Sequence, residues 1–258
     1  MGYSESERQQ FLERITEEIT LLTNVEGVVQ IGSGVDGFSD LYSDIDLMVG
    51  VSNSADPGQA KTDIKDIFEE LRPLYIKEKQ FSADIHLLIV FLDNGLEFNV
   101  SVAPLRLLPV KSPLWKILVD KTGAVAERMN QENKRFEQEA VQYETGIDLP
   151  FEFAYCAHSA KKALNRNNPI YALQMLETMR TYLLYIQAMN EQKKVHQFKA
   201  YNTLDPEFVS NFLSIYPTDT SVGTLKAARN HLILLFKEVV QKSPLYNLDG
   251  GLVELLEL

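Results

Sequence analysis

Two acidic residues flanking one apolar residue, Asp44-Ile45-Asp46, lie ten residues beyond a Gly32-Ser33-Gly34 triplet. Side chains along a strand alternate between faces, so Asp44 and Asp46 share one face while Ile45 and Leu47 take the other. Two carboxylates about 7 Å apart on one face repel each other and lose solvation. A shared hard cation resolves the conflict, and Mg²⁺ accepts one or two carboxylates together with substrate phosphate oxygens. Gly32 and Gly34 allow a tight turn, close backbone approach to a ligand and outward N–H groups, with the Ser33 hydroxyl between them. Phosphates on the glycine turn and metal on the aspartates would together form a nucleoside triphosphate site.

The surrounding residues form the elements that hold these groups. The β-branched run Val28, Val29 and Ile31 reads as a strand ending at the glycine turn, and 44–51 reads as the next strand after a polar loop. Before them, residues 4–24 read as a helix with capping-box spacing at Ser4 and Glu7 and an apolar stripe of Phe11, Leu12, Ile15, Ile19 and Leu22. A second helix is expected over 59–71, halted by Pro73, and a strand over 74–81. Residues 85–92 and 96–102 read as a hairpin joined by Asn94-Gly95, a dipeptide suited to a two-residue type I′ turn. That register sets Val90 opposite Asn99. It places Glu97, Asn99 and Ser101 on one face, shared by His86, which reads as a hydrogen-bonded core residue.

From 104 to 122 the pattern is irregular and apolar, and 124–143 is a charged helix with a solvated face. Glu144 to Pro150 reads as a boundary between an N-terminal domain, 1–145, and a helical domain, 150–258. Helices are expected over 151–165, 170–190, from Asp205-Pro206 through Ile215, and over 218–241, with an amphipathic tail at 252–258. The fold class is therefore α+β, a small mixed sheet flanked by helices followed by a helical bundle. Cys156 reads as a small packed thiol and His158 as facing outward. Arg180, inside an apolar helix, either pairs with a carboxylate across the bundle or reaches a nucleotide phosphate.

The Gly32-Ser33 pair, the ten-residue spacer and Asp44-Ile45-Asp46 resemble the nucleotidyltransferase superfamily that includes DNA polymerase beta. The helical half is similar in order and length to the helical substrate domain of its aminoglycoside 6-adenylyltransferase branch, which implies a substrate-binding role for 150–258 after a nucleotidyltransferase domain at 1–145. The resemblance implies a nucleotidyltransferase fold and Mg²⁺ on Asp44 and Asp46. It implies triphosphate, with ATP as the expected co-substrate, on Gly32, Ser33 and Gly34. It also implies a third carboxylate at Asn99, aligned on the Phe91-Leu92-Asp93-Asn94-Gly95 turn. Here the chain departs from the pattern, because a neutral amide cannot act as general base and is a poorer metal ligand. Glu97, two residues away on the same face, is the expected substitute. The expected activity is adenylyl transfer to a hydroxyl of a small cationic acceptor. The alternative is a catalytically weakened nucleotide-binding or regulatory module.

Composition bounds these readings. The 258 residues carry 25 Lys and Arg against 36 Asp and Glu, a formal net charge of −11. Such a balance, without a concentrated basic run, argues against nucleic-acid partners and suits a cationic small molecule. A single cysteine forbids an intrachain disulfide and fits a reducing compartment. No apolar run approaches the roughly 18 residues of a membrane span. A cytoplasmic monomer or homodimer is the expectation.

Overall fold

The computed structural model describes residues 4–37, 43–93, 95–138, 146–193 and 201–257. Asn94, the polar loop at 38–42, the 139–145 part of the expected charged helix and boundary, and 194–200 lie outside the described residues. The chain divides into two compact units, 1–140 and 141–258.

The first unit is built on a six-stranded mixed sheet in the order β3-β4-β5-β2-β1-β6. Its strands are β1 (Val25–Ile31), β2 (Ile45–Val51), β3 (Tyr75–Gln80), β4 (His86–Phe91), β5 (Glu97–Pro104) and β6 (Trp115–Asp120). Only β2 and β5 pair in parallel; the other neighbours are antiparallel. Alternation decides which face of each strand is covered. Ile45, Leu47 and Val49 of β2 share a core with Val28, Leu88, Val90, Phe98 and Val100, closed by α1 (Glu5–Thr20) and α2 (Pro57–Glu69). In that core Phe68 of α2 meets Phe98 of β5 edge-on, ring centroids 5.1 Å apart. On the opposite face a smaller core of Val29, Met48, Ala103 and Leu108 packs under Val125 and Met129 of α3 (Ala124–Gln138). The remainder of that face holds Asp46, Asn99 and Ser101.

Local sequence signals explain most element ends. The Ser4–Glu7 capping box opens α1, with the Ser4 side chain accepting from the Glu7 N–H and the Glu7 carboxylate from the Ser4 N–H. The helix expected from 59 begins two residues earlier: Asp56 caps it and Pro57 occupies its first turn, where a missing N–H costs nothing. The stretch 104–122, read as irregular, contains β6. Its aromatic and β-branched residues pair antiparallel with β1, which continues the sheet past the glycine turn.

The hairpin register is also corrected. Leu92 N–H donates to the Leu96 carbonyl at 2.9 Å, so three residues rather than two separate the paired strand ends, with Gly95 at φ +81°. Ile89, not Val90, therefore faces Asn99. A slip of one residue reverses every β4 side chain. His86 consequently lies on the helix-covered face, buried opposite Val102, away from Asn99.

The second unit is a bundle of five helices among the described residues rather than the four read from the sequence. They are α4 (Leu149–Asn165), α5 (Pro169–Asn190), α6 (Pro206–Ser214), α7 (Val222–Gln241) and α8 (Gly250–Glu257). Prolines at the first turns of α4, α5 and α6 follow Asp148, Asn168 and Asp205, each of which caps its helix through a side-chain oxygen. The core joins the alanine face of α4 to Leu176, Met179 and Leu183 of α5 and Leu232 and Phe236 of α7. Phe153 and Phe236 stack at its centre, 3.7 Å between centroids and 3° from parallel. Helix α8 brings Leu256 onto this core, giving the amphipathic tail its partner. No helix among the described residues is long and apolar enough to cross a membrane.

Candidate active site

The glycine turn begins where β1 ends. Ile31 is still extended, and the chain then enters a 3₁₀ turn over Gly32–Asp36. Gly32 adopts φ +79°, a left-handed conformation that an L side chain pays to enter. Glycine is needed there for a second reason. A Cβ on Gly32 would stand 2.9 Å from Asp46 Oδ2, so the bare backbone makes room for that carboxylate. Not every amide of the turn is available: the Gly32 N–H, expected to point outward, donates to the Leu114 carbonyl at 3.1 Å. Ser33 is exposed and Gly34 is buried; in a 3₁₀ segment that opens at Gly32 the Ser33 N–H has no preceding carbonyl, whereas the Gly34 N–H is taken by that of Ile31.

Sheet register brings the acidic residues to the same place. Asp46 lies beside Ile31 on one side and Asn99 on the other. Parallel pairing with Asn99 puts both on one face. The Asn99 amide donates from Nδ2 to Asp44 Oδ2 at 3.1 Å, so Asp44, just ahead of β2, is on that face too. Asp44 and Asp46 are each half-buried, reachable by water or a ligand while shielded from one side. Ser101 is drawn away from this cluster, its hydroxyl donating to the Leu47 carbonyl at 3.2 Å. Glu97 opens β5 on the Asn99 face, opposite Phe91, and is half-buried. Its side chain makes no hydrogen bond or ion pair among the described residues.

Among the described residues no group of three or more His, Cys, Asp and Glu side chains could hold a metal ion. Among the described residues Asp44 and Asp46 thus stand as a pair and not as part of an all-protein cage of the calcium or zinc kind. The pair that is present suits Mg²⁺, which retains water and completes its octahedron with substrate phosphates. Gly32 is the fitting feature: without a Cβ it leaves Asp46 Oδ2 unobstructed beside the turn.

The other residues singled out by sequence lie elsewhere. Arg180, 1% exposed, pairs with Glu177 of its own helix at 2.8 Å, donates to the Ile215 carbonyl and covers the Tyr216 ring 4.1 Å from its centroid. It is sealed in the bundle, which removes the phosphate-reaching alternative. Cys156 is buried, and desolvation first, then the nearby Glu152 carboxylate, push its thiol up to about 11, the opposite of an activated nucleophile. His158, expected to face outward, is half-buried with Nδ1 shielded.

The profile of a family described as streptomycin adenylyltransferase matches residues 6–243. No curated protein sequence matches the chain. The structure aligns with an aminoglycoside 6-adenyltransferase from Bacillus subtilis at 13% identity and TM-score 0.43, over 99% of this chain and 98% of that one. It also aligns with a nucleotidyltransferase-like protein from Exiguobacterium sibiricum 255-15 at 12% identity and TM-score 0.40, over 91% of this chain and 76% of that one.

Proposed function

The chain belongs to the streptomycin adenylyltransferase family, and from that premise we propose that it transfers an adenylyl group from ATP, with Mg²⁺, to a hydroxyl of a small cationic acceptor such as an aminoglycoside. The observation that supports this most is the convergence of Asp44 and Asp46 on one sheet face beside a glycine turn whose bare Cα accommodates Asp46 Oδ2.

Asp44 and Asp46 hold the metal in this reading. The amide and hydroxyl of the exposed Ser33 hold the phosphates that leave as pyrophosphate. The ion, when bound, supplies charge neutralisation at the phosphates and a template for in-line attack. The remainder is positioning, the main source of acceleration in phosphoryl chemistry. Asn99 orients the Asp44 carboxylate through its Nδ2 donor but has no basic atom to take a proton. Glu97 is on the same face, two residues away, and is the acceptor for the substrate hydroxyl proton.

One observation favours a second reading. The Asn99 donor occupies an Asp44 oxygen in a position where the superfamily carries an acid, which fits a nucleotide-binding module with weakened transfer. Pyrophosphate release from ATP and Mg²⁺ over an aminoglycoside and lincosamide panel separates the two. Release that Asp44→Ala abolishes supports transfer; ATP binding without release supports the module. Turnover unchanged in Glu97→Gln removes that residue from the mechanism.

A further inference from the structure

We propose that Tyr75 and Phe91 form the acceptor platform of this site, a pair of rings on which a hydroxylated cation lies with its charge toward Glu97. The inference rests on the transfer reading above and adds a binding surface to it.

In an in-line displacement the incoming hydroxyl approaches the α-phosphorus opposite the departing pyrophosphate. The glycine turn that would hold the departing phosphates continues from β1, on one side of β2. The acceptor therefore approaches over the other side of β2, across β5, β4 and β3 in that order.

Register then identifies what it meets. Tyr75 on β3 is directly opposite Phe91 on β4, and Phe91 is directly opposite Glu97 on β5. Directly paired residues of antiparallel strands share a face, and Glu97 shares its face with Asn99, whose amide reaches Asp44. Tyr75, Phe91 and Glu97 thus form one row across three strands at the sheet end that bears Asp44. Neighbouring strands are about 4.8 Å apart, so the row reaches about 10 Å outward from Glu97, the length of one or two sugar rings.

The chemistry of the row fits such a ligand. Tyr75 is 58% exposed, a large ring on an edge strand, and Phe91, its partner across the ladder, is half-buried. Aromatic faces attract ammonium and guanidinium groups and cover the apolar faces of sugars. Glu97 adds a negative charge at the inner end, next to Asp44 and Asp46. Lys77 is one row further along, opposite Ile89 and so in the row of Asn99, and borders the platform at its outer edge. Charge and aromatic surface together select a cation over an anionic or purely aliphatic acceptor.

The test compares wild type, Tyr75→Ala and Phe91→Leu with streptomycin as the probe, reading pyrophosphate release and, separately, calorimetric binding of streptomycin to the Mg–ATP-analogue complex. Tyr75→Ala removes an exposed ring, so folding is preserved, and Phe91→Leu retains apolar bulk. The expected result is a streptomycin KM or Kd raised about two- to fivefold for Tyr75→Ala, with the KM for ATP unchanged. Equal streptomycin constants in all three proteins, while Asp44→Ala abolishes release, would overturn the platform and leave the transfer reading intact. Absence of release with measurable streptomycin binding that Tyr75→Ala weakens would support the platform and contradict transfer. Absence of both would overturn both.

Discussion

Replacing Gly32 by Ala perturbs the site through a single methyl group, and the structure separates its two consequences. The first is backbone strain: φ is +79°, and an L residue in the left-handed region costs about 1–2 kcal/mol. The second is steric. The new Cβ would be 2.9 Å from Asp46 Oδ2, whereas ordinary contact begins near 3.4 Å, so the carboxylate must retreat by about half an ångström. The tip of a flexible side chain yields cheaply, so the steric part adds little to the stability loss. It weighs far more on catalysis, where a misplacement of about 1 Å costs about a hundredfold. Half of that predicts a fall in kcat of about tenfold or more. Gly95→Ala is the matched control, with φ +81° and nothing within 4 Å of the added Cβ. Urea unfolding should show both variants destabilised by a similar 1–2 kcal/mol or so, while pyrophosphate release falls only in Gly32→Ala. Equal activity in the two variants would refute the claim that the turn exists to seat Asp46.

Two further substitutions and one labelling experiment test other parts of the account. Asn99→Asp places a third carboxylate beside Asp46 and removes the donor to Asp44; the melting temperature should fall without Mg²⁺ and recover with it, and with Glu97 already taking the proton turnover should change less than about tenfold, whereas a rise of about 10²–10⁴ would favour the module with weakened transfer. Arg180→Ala leaves a cavity and strips the Ile215 carbonyl of its donor, for an expected loss of about 3–4 kcal/mol by urea unfolding, with ATP binding unchanged. Cys156 ionises near 11 in the folded protein because burial disfavours the thiolate, so its iodoacetamide labelling should be slow at pH 8 unless urea is present. Its sign for stability follows: the unfolded thiol loses its proton first, so stability falls as pH rises from about 9 toward 11.

The sequence made the site far more legible than its frame. Asp44 and Asp46 were placed on one face by strand alternation alone, and that period does not depend on tertiary context. The position of Asn99 came from family alignment, and its contact with Asp44 arises from the parallel pairing of β2 with β5. No local pattern encodes such pairing. The His86 placement failed because one extra turn residue reverses a strand, and Asn94-Gly95 does not distinguish a two-residue from a three-residue connection. Strand β6 was missed because Pro109 and Pro113 precede a short apolar run, and only the vacant edge of β1 makes that run a strand. The use of the Gly32 N–H by Leu114 follows from the same missed strand. The Tyr75–Phe91–Glu97 row likewise depends on the corrected register.

The most direct measurement is the affinity of a non-hydrolysable ATP analogue, with and without Mg²⁺, for wild type and Asp46→Asn. Asp44 and Asp46 gripping a magnesium–triphosphate complex predicts that Mg²⁺ tightens binding at least about tenfold in the wild type and has no effect in Asp46→Asn. Equal tightening in both proteins, or none in the wild type, would contradict it.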